Sequence, residues 1–591
     1  GQLDLRYDTA WFSEFLVANL LAPVGAGTLS QSVSAQEYSR LFEQDRLGVV
    51  SLTEYGSRGD WVQDAVQWGI LGNFAYALEA DYRNLQGQRH NNDLEQLTLG
   101  LNLKQQIGVN DSLYFRTVYY NANGGDLSHV YDPSNPAYYR PNLRFQEAQE
   151  PLLLAGYHHQ WSPGQHTLLL TSRMHDRLEV SDPTQPILLV GKDPTNAVTG
   201  TLLTSAEQHY RSELEIYSAE VQHIAQVQAW TVVVGGRAQL GQFEVDNRQQ
   251  DLADSGPSLP NPLVQHVQPD LQRFTAYTYA QWQIADPLAL FGGVSYDYLL
   301  FPANYRLAPV LSGEDDREQW SPKAGLVWKA TPSTTFRGAY TRSLGGVSLE
   351  QSFQLEPSQV AGINQAWRSL IPESAVGSQA GARLETGAVE WDQRFPTETY
   401  LAVRGETGRS EVHRQVGVLD QTFFATASST PERLDFREST LSVTLNQLVG
   451  QSGVLGAQYR LSNASLEDVY PNIPENVPHQ IPPFQLRPRQ ELESTLHQVR
   501  LFAGVNHASG LFGQIESLWS SQSNQGYSPA RPGDDFWQFN VYAGYRFPKR
   551  RAEVRVGVLN LGDQDYRLNP LNLTPELPRS RLFVASLKLA F

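Results

Sequence analysis

The chain has 591 residues and a formal net charge of −17, carried by 45 basic and 62 acidic side chains. It has no cysteine, which excludes disulfide frameworks, thiolate metal sites and cysteine nucleophiles, and its acidic balance argues against nucleic acid, which selects basic surfaces. No run of about 18 uncharged apolar residues is present, so no membrane-spanning helix is expected. Aromatics are plentiful all the same, with 27 Tyr, 24 Phe and 12 Trp. A polar chain rich in aromatics fits a lipid-facing band mixed with polar lumen and loop residues. It also fits a secreted carbohydrate-binding protein.

Residues 1–44 read differently from the rest. Trp11 to Gly27 is apolar and punctuated by Gly and Pro, and Glu37 to Glu43 has the character of a helical turn. This segment is expected to lie at or inside a barrel mouth, or to link to a part upstream; a loosely held tail is the plain alternative. The chain opens at Gly1 without a basic, apolar leader, which reads as a removed signal peptide or a missing upstream portion.

Residues 45–591 are read as one domain with a two-residue rhythm. Leu97, Leu99, Leu101 and Leu103 alternate with Thr98, Gly100, Asn102 and Lys104. Phe274, Ala276, Thr278, Ala280, Trp282 and Ile284 alternate with polar or aromatic neighbours, as do Trp537, Phe539, Val541, Ala543, Tyr545 and Phe547. At the end of the chain Phe583, Ala585, Leu587, Leu589 and Phe591 share one face of an extended strand, with Ser586 and Lys588 on the other. Each is a half-apolar strand. The polar faces carry Arg, Glu, Lys and Gln, which a dry sandwich core does not accept and a water-filled lumen does.

Short turns are expected near 71–73, 108–111, 162–164, 225–227, 285–287, 330–332, 395–397, 450–452, 509–510 and 548–550, where Gly, Pro, Asn and Asp supply the required backbone angles. Between them lie long connections near 123–149, 179–206, 246–269, 301–318, 345–380, 412–432, 466–491, 524–535 and 561–580. Strict alternation of short and long connectors is the asymmetry of an outer-membrane barrel, with tight periplasmic turns and long extracellular loops. The expected fold is therefore all-β: a transmembrane antiparallel β-barrel of about 22 strands, with both termini on one side.

The barrel resembles that of TonB-dependent outer-membrane receptors. The likeness rests on Asn560-Leu561-Gly562-Asp563-Gln564-Asp565-Tyr566, then Pro578-Arg579-Ser580-Arg581 and the last strand to Phe591; the family's Gly between Pro and Arg is absent. A second segment, from Arg342 through Leu355-Glu356-Pro357 to Ser374, is similar to receptor-like barrels that carry helical repeats upstream. The resemblance implies solute uptake across a bacterial outer membrane, a lipid-bilayer setting and a TonB-type energy-coupling partner. The family's globular plug has no counterpart in residues 1–44 and no TonB box is present. The alternative is an anchoring or assembly barrel that holds another outer-membrane or periplasmic partner, such as a repeat domain or an exported polysaccharide or fibre.

Site signals are sparse. Gln359 to Leu370 is compatible with a short amphipathic helix folded over the mouth or packed on neighbouring loops. Glu314, Asp315 and Asp316, and Asp251 with Asp254, offer oxygen ligands for Ca²⁺ without EF-hand spacing; solvated acidic loops explain them as well. His158 and His159 point to opposite strand faces and do not chelate one ion. Gly293-Val294-Ser295-Tyr296-Asp297 lacks the second Gly and the strand–turn–helix setting of a nucleophile elbow. Asn463-Ala464-Ser465 matches a glycosylation sequon only formally. No catalytic, cofactor or metal residues are assigned, and no enzyme activity is expected.

Overall fold

The computed structural model describes residues 47–128, 140–251, 262–347, 354–479, 487–528 and 530–591; the expectations on residues 1–44 and Asp254 fall outside them. The first strands are β1 (Leu47–Gly56), β2 (Trp61–Leu71), β3 (Phe74–Leu85), β4 (Leu94–Gln106), β5 (Asp111–Gly124), β6 (Arg144–Ser162), β7 (Gln165–Lys192), β8 (Val198–Val227) and β9 (Trp230–Asp251). They are followed by β10 (Leu263–Val267), β11 (Asp270–Ala285), β12 (Leu288–Pro302), β13 (Glu314–Thr331) and β14 (Thr334–Leu344). Two short strands, β15 (Gln359–Val360) and β16 (Ile363–Asn364), form a separate hairpin. The wall then resumes with β17 (Arg383–Arg394), β18 (Thr399–Gln421), β19 (Ala425–Val449), β20 (Gly453–Val469) and β21 (Arg489–Asn506). It ends with β22 (Leu511–Gln525), β23 (Asp535–Arg546), β24 (Ala552–Leu559) and β25 (Leu582–Ala590).

Every wall strand pairs antiparallel with the next, and β25 closes on β1 from Val50↔Ala590 to Gly56↔Val584. Both β10 and β11 lie against β9, so they are one strand interrupted at Gln268-Pro269, and the 23-stranded sheet fills 22 positions. Closure leaves no sheet edge within the wall, which is what hydrocarbon demands of a backbone with no water to bond.

The outward faces are apolar. On β13, Trp320, Leu326 and Trp328 are exposed. Trp328 stacks on Phe336, which stacks on Trp391, and Trp230 stacks on Trp282, making an aromatic girdle at the turn end. Phe274 with Tyr298 and Tyr296 with Trp320 make the opposite girdle. The eight steps from Trp320 to Trp328 span about 26 Å along the strand at about 3.3 Å each, which at a tilt of about 40° is about 20 Å across the membrane, within an apolar band about 25 Å tall. Phe583, Leu587 and Phe591 are exposed on this lipid face, as the alternation predicts.

Nine of the ten short turns occur where expected, and the one expected at 225–227 falls at 228–229 because β8 runs on to Val227; all lie at one end of the barrel. Three other expectations are corrected. Residues 179–206 and 412–432 are not loops: β7–β8 and β18–β19 continue as paired hairpins to tips at 193–197 and 422–424. These extensions stand above the apolar band, and at Ile187–Val190 and Val418–Leu419 both faces are apolar and buried, so no apolar–polar alternation marks them as strand. Alternation of connector length also fails at β1–β2, where residues 57–60 suffice. Finally, Gln359 to Leu370 is not helical, because Ala361 (φ 54°) and Gly362 (φ 80°) turn the chain into the β15–β16 hairpin. The helical turn in this region is Glu373–Val376 instead.

Candidate functional site: the occupied lumen

The connection between β14 and β17 does not lie over the mouth; it descends into the barrel. Gln354, Leu355, Glu356 and Trp367 are all buried. Their neighbours are inward side chains of five consecutive wall positions, β8, β9, β11, β12 and β13. The Leu355 N–H donates to Glu220 Oε2 (2.9 Å) and Gln222 Nε2 donates to the Leu355 carbonyl (2.6 Å), both from β8. Arg237 of β9 donates to Gln354. Tyr279 of β11 donates to Glu356 Oε1 (2.6 Å), and Lys323 of β13 stands 4.0 Å from the same carboxylate. Arg273 of β11 joins Asp297 Oδ1 (2.8 Å) to the Leu344 carbonyl (2.9 Å) at the point where the loop departs.

Three cations (Arg237, Arg273, Lys323) and three carboxylates (Glu220, Asp297, Glu356) thus form one buried, charge-balanced network. Balance is what makes burial tolerable, since an isolated ion there would carry the full desolvation penalty. The β15–β16 turn fits against the inner wall at Gly325, where a Cβ would lie 2.9 Å from Ala361 Cβ. Only a residue without a side chain leaves that space.

The β24–β25 connection enters from another side. Leu571 is fully buried and packs with Leu370 and Ile371 of the first loop and with Leu384, Val412, Leu434, Phe436 and Leu466 of the wall. Asn572 donates to the carbonyls of Ser462 (3.2 Å) and Ser494 (3.1 Å) and accepts from Gln522 (3.1 Å). The segment that carried the family likeness is the staple of this loop. Asn560 Nδ2 donates to the carbonyls of Gln564 and Pro578 (2.9 Å each), and Arg579 lies 4.6 Å from the Tyr566 ring centre. Tyr566 hydrogen-bonds the Leu577 backbone, and burial pushes its phenol up to about 12. The outer half of the lumen is therefore filled by packed loops.

Above this core the mouth is roofed. β7 and β18, far apart around the wall, meet in a parallel ladder from Leu188↔Val418 to Gly191↔Gln421, closed by Lys192–Asp420 at 2.6 Å. Thr201 of β8 bonds the Pro478 carbonyl (3.0 Å), and Gly417 of β18 bonds the Leu307 carbonyl (2.9 Å). Arg414 holds the carbonyls of Val376 and Ser378 (2.7 Å each) and pairs with Glu432. Beside it, burial and then Glu432 raise the Asp468 carboxyl well above its usual range.

The residues singled out in the sequence do not converge. Asp315 pairs with Arg317 (2.7 Å), Glu314 accepts from the Asp270 N–H (2.9 Å), and Asp316 is exposed. His158 faces inward to His166 (2.9 Å), whereas His159 meets Asp111 (2.7 Å). Ser295 sits in a regular strand and accepts from Lys323 (2.8 Å). Among the described residues, the acidic and histidine side chains that do cluster are Glu244, Asp246 and His266, exposed on the outward side of β9 and β10. Sequence reading missed them because only cross-strand register brings His266 beside Asp246.

Residues 51–561 match the family model described as TonB dependent receptor-like, beta-barrel. The chain belongs to this TonB-dependent receptor-like β-barrel family. Its fold is similar to the copper transporter OprC, with 11% identity, a TM-score of 0.60, and coverage of 93% of this chain and 81% of that one. The FrpB iron transporter from Neisseria meningitidis gives 12%, 0.60, 95% and 83%. The ferric citrate transporter FecA in its unliganded form gives 13%, 0.59, 92% and 78%. No curated protein sequence matches. As a TonB-dependent receptor-like barrel the chain resides in the outer membrane of Gram-negative bacteria, turns to the periplasm and roof to the outside.

Proposed function

We propose that this barrel is an uptake receptor that admits a solute from the cell surface, with the 345–382 loop as its gate. The observation that supports this most is that the loop obstructs the lumen without contributing a strand to the wall, so it can withdraw and leave 22 positions closed. The names of the similar structures, transporters of copper, iron and ferric citrate, favour a small metal complex as the solute. Withdrawal uncovers Leu355, Val360, Ile363, Trp367, Leu370 and Ile371, at about 1.5–3 kcal/mol each. Heat alone does not supply that, which supports a TonB-type energy-coupling partner, acting through residues 1–44 or an upstream plug or repeat domain. An inward apolar patch of Val66, Trp68, Ile70, Ala75 and Ala77 lies at the periplasmic rim beside the start of β1.

Conductance of planar bilayers in potassium chloride tests the gate. A chain lacking 1–44 and 354–371 conducts in large steps, and a chain lacking 1–44 alone stays closed; silence from both overturns the proposal. The roof favours a second reading, an anchoring barrel that never opens. Because the chain has no cysteine, a Ser369→Cys/Ser410→Cys pair, replacing hydroxyls that lie 2.9 Å apart between loop and wall, locks the loop. Loss of uptake on oxidation supports the receptor, and unchanged cellular function with the lock closed supports the anchor.

A further inference from the structure

The outward face of β14, β17 and β18 carries a groove within the apolar band. Gly338, Gly387 and Gly405 form its floor, and Leu326, Tyr340 and Val389 rise around it. Register sets them side by side, as Leu326↔Gly338, Gly338↔Val389 and Val389↔Gly405, with Tyr340↔Gly387 in the next outward row. The groove holds about 720 Å³, within the range of about 300–1,000 Å³ usual for ligand sites. The wall itself does not require these glycines. A Cβ at Gly338, Gly387 or Gly405 would meet nothing closer than 3.7 Å, so their effect is to leave the groove unfilled.

Directly above the groove, the outward row reads Arg342, Glu385, Arg409 and Arg437, each opposite the next across the ladder. The Lys323↔Thr341 pair sets this row beside the level of Trp320 in the outer girdle. Higher still come Arg383, Glu411 and Asp435, then His413 opposite Arg433. Five arginines thus face three carboxylates, in a chain whose net charge is −17. Like charges directly opposite on a sheet are destabilising, yet Arg409 stands opposite Arg437. The carboxylates present are engaged: Asp435 by Arg409 (2.5 Å), Glu385 by Arg342 (3.6 Å) and Glu411 by His413 (3.0 Å). Glu467, beside Asp435, is held by Arg489 (2.7 Å). Among the described residues Arg383 and Arg433 have no ion-pair partner.

Whatever covers this face needs a tail for hydrocarbon and anionic groups at the interface, which is the chemistry of a lipid. Arginine binds phosphate through paired N–H groups. From Arg342 to Arg437 the row crosses three strand spacings, about 14 Å at about 4.8 Å each, which suits a head bearing more than one phosphate. We propose that this face seats a bisphosphorylated glycolipid of the outer leaflet, with an acyl chain in the groove and the phosphates on the arginine rows. The site lies outside the wall and does not depend on the lumen gate.

The probe is lipid A, a bisphosphorylated glycolipid, and its binding to the full chain in dodecyl maltoside micelles is measured by native mass spectrometry. One lipid A binds per chain. Arg409→Gln with Arg437→Gln weakens binding by about tenfold or more. Gly387→Leu with Gly405→Leu fills the groove without crowding the wall and weakens binding to a similar degree. Arg173→Gln with Arg211→Gln removes the same charge from β7 and β8 and leaves binding unchanged. Phosphatidylglycerol, with a single phosphate, binds about tenfold more weakly than lipid A. Equal binding of phosphatidylglycerol, or equal loss in the two arginine pairs, overturns the proposal. So does a dimer of the chain that Gly387→Leu/Gly405→Leu disperses, because the occupant of the groove is then a second copy.

Discussion

Tyr279 on the inner wall donates its phenolic proton to Glu356, a residue 77 positions later that belongs to a connection and not to the wall. The pair ties the loop to the inner wall. With Lys323 on its other flank, Glu356 is where the loop's charge is neutralised by the barrel.

Removing the loop's partner of this pair leaves cations of the wall buried and uncompensated. Glu356→Ala is expected to destabilise the protein by about 3–5 kcal/mol, and Tyr279→Phe, which loses one bond to a charged acceptor, by about 1.5–3 kcal/mol. Urea unfolding in detergent checks both. The double substitution costs less than the sum, because the two side chains share one interaction.

The core between the two loops predicts a second cost. Leu571→Ala empties a fully buried site and is expected to cost about 2–5 kcal/mol. The loss falls on the loops while the wall persists. Proteolysis of the folded barrel therefore cuts within 560–581 first, and the protected remainder retains its strand signature by circular dichroism.

Much of this architecture was legible from residue order, and the boundary of legibility is physical. Turn chemistry is local, so nine of the ten periplasmic turns could be placed. Lipid-facing alternation is local too, so the last strand, Phe583 to Phe591, was read correctly. The outer halves of β7, β8, β18 and β19 were taken for loops because their two faces stop contrasting: at Ile187–Val190 and Val418–Leu419 both are apolar and buried. The lumen network was illegible for a different reason. Glu220 and Leu355 stand 135 positions apart, and nothing near either residue announces the other. Gly362 was the one local clue that Gln359 to Leu370 turns instead of coiling.

The roof is expected to respond to pH. Asp468 is buried beside Glu432, and its raised carboxyl means that the folded state holds a proton the unfolded chain releases. Stability from this group is complete below the ordinary carboxylate range and is lost as pH rises toward the folded value. The thermal midpoint of the roof is thus higher in mild acid than at neutral pH. Asp468→Asn flattens that dependence and raises the neutral-pH midpoint, as amide exchange at Arg414 to Gln421 would report.

The membrane orientation yields its own test. Ala324 projects outward midway along the apolar band between Trp320 and Trp328. Ala324→Arg puts a charge into hydrocarbon and is expected to cost about 2–4 kcal/mol. The same change at Trp320, nearer the interface, costs about 1 kcal/mol or less. Folding into lipid vesicles of fixed composition measures both, and equal costs would refute the assigned depth.

One strand deserves a mechanical reading. β18 runs unbroken from Thr399, beside a periplasmic turn, to Gln421 in the roof, 23 residues in all. At about 3.3 Å per residue that is a rod of about 75 Å, hydrogen-bonded along its length and without a joint. Roof and periplasmic turn are thus two ends of one uninterrupted strand, so the outer and inner rims of the barrel are fixed in register to each other.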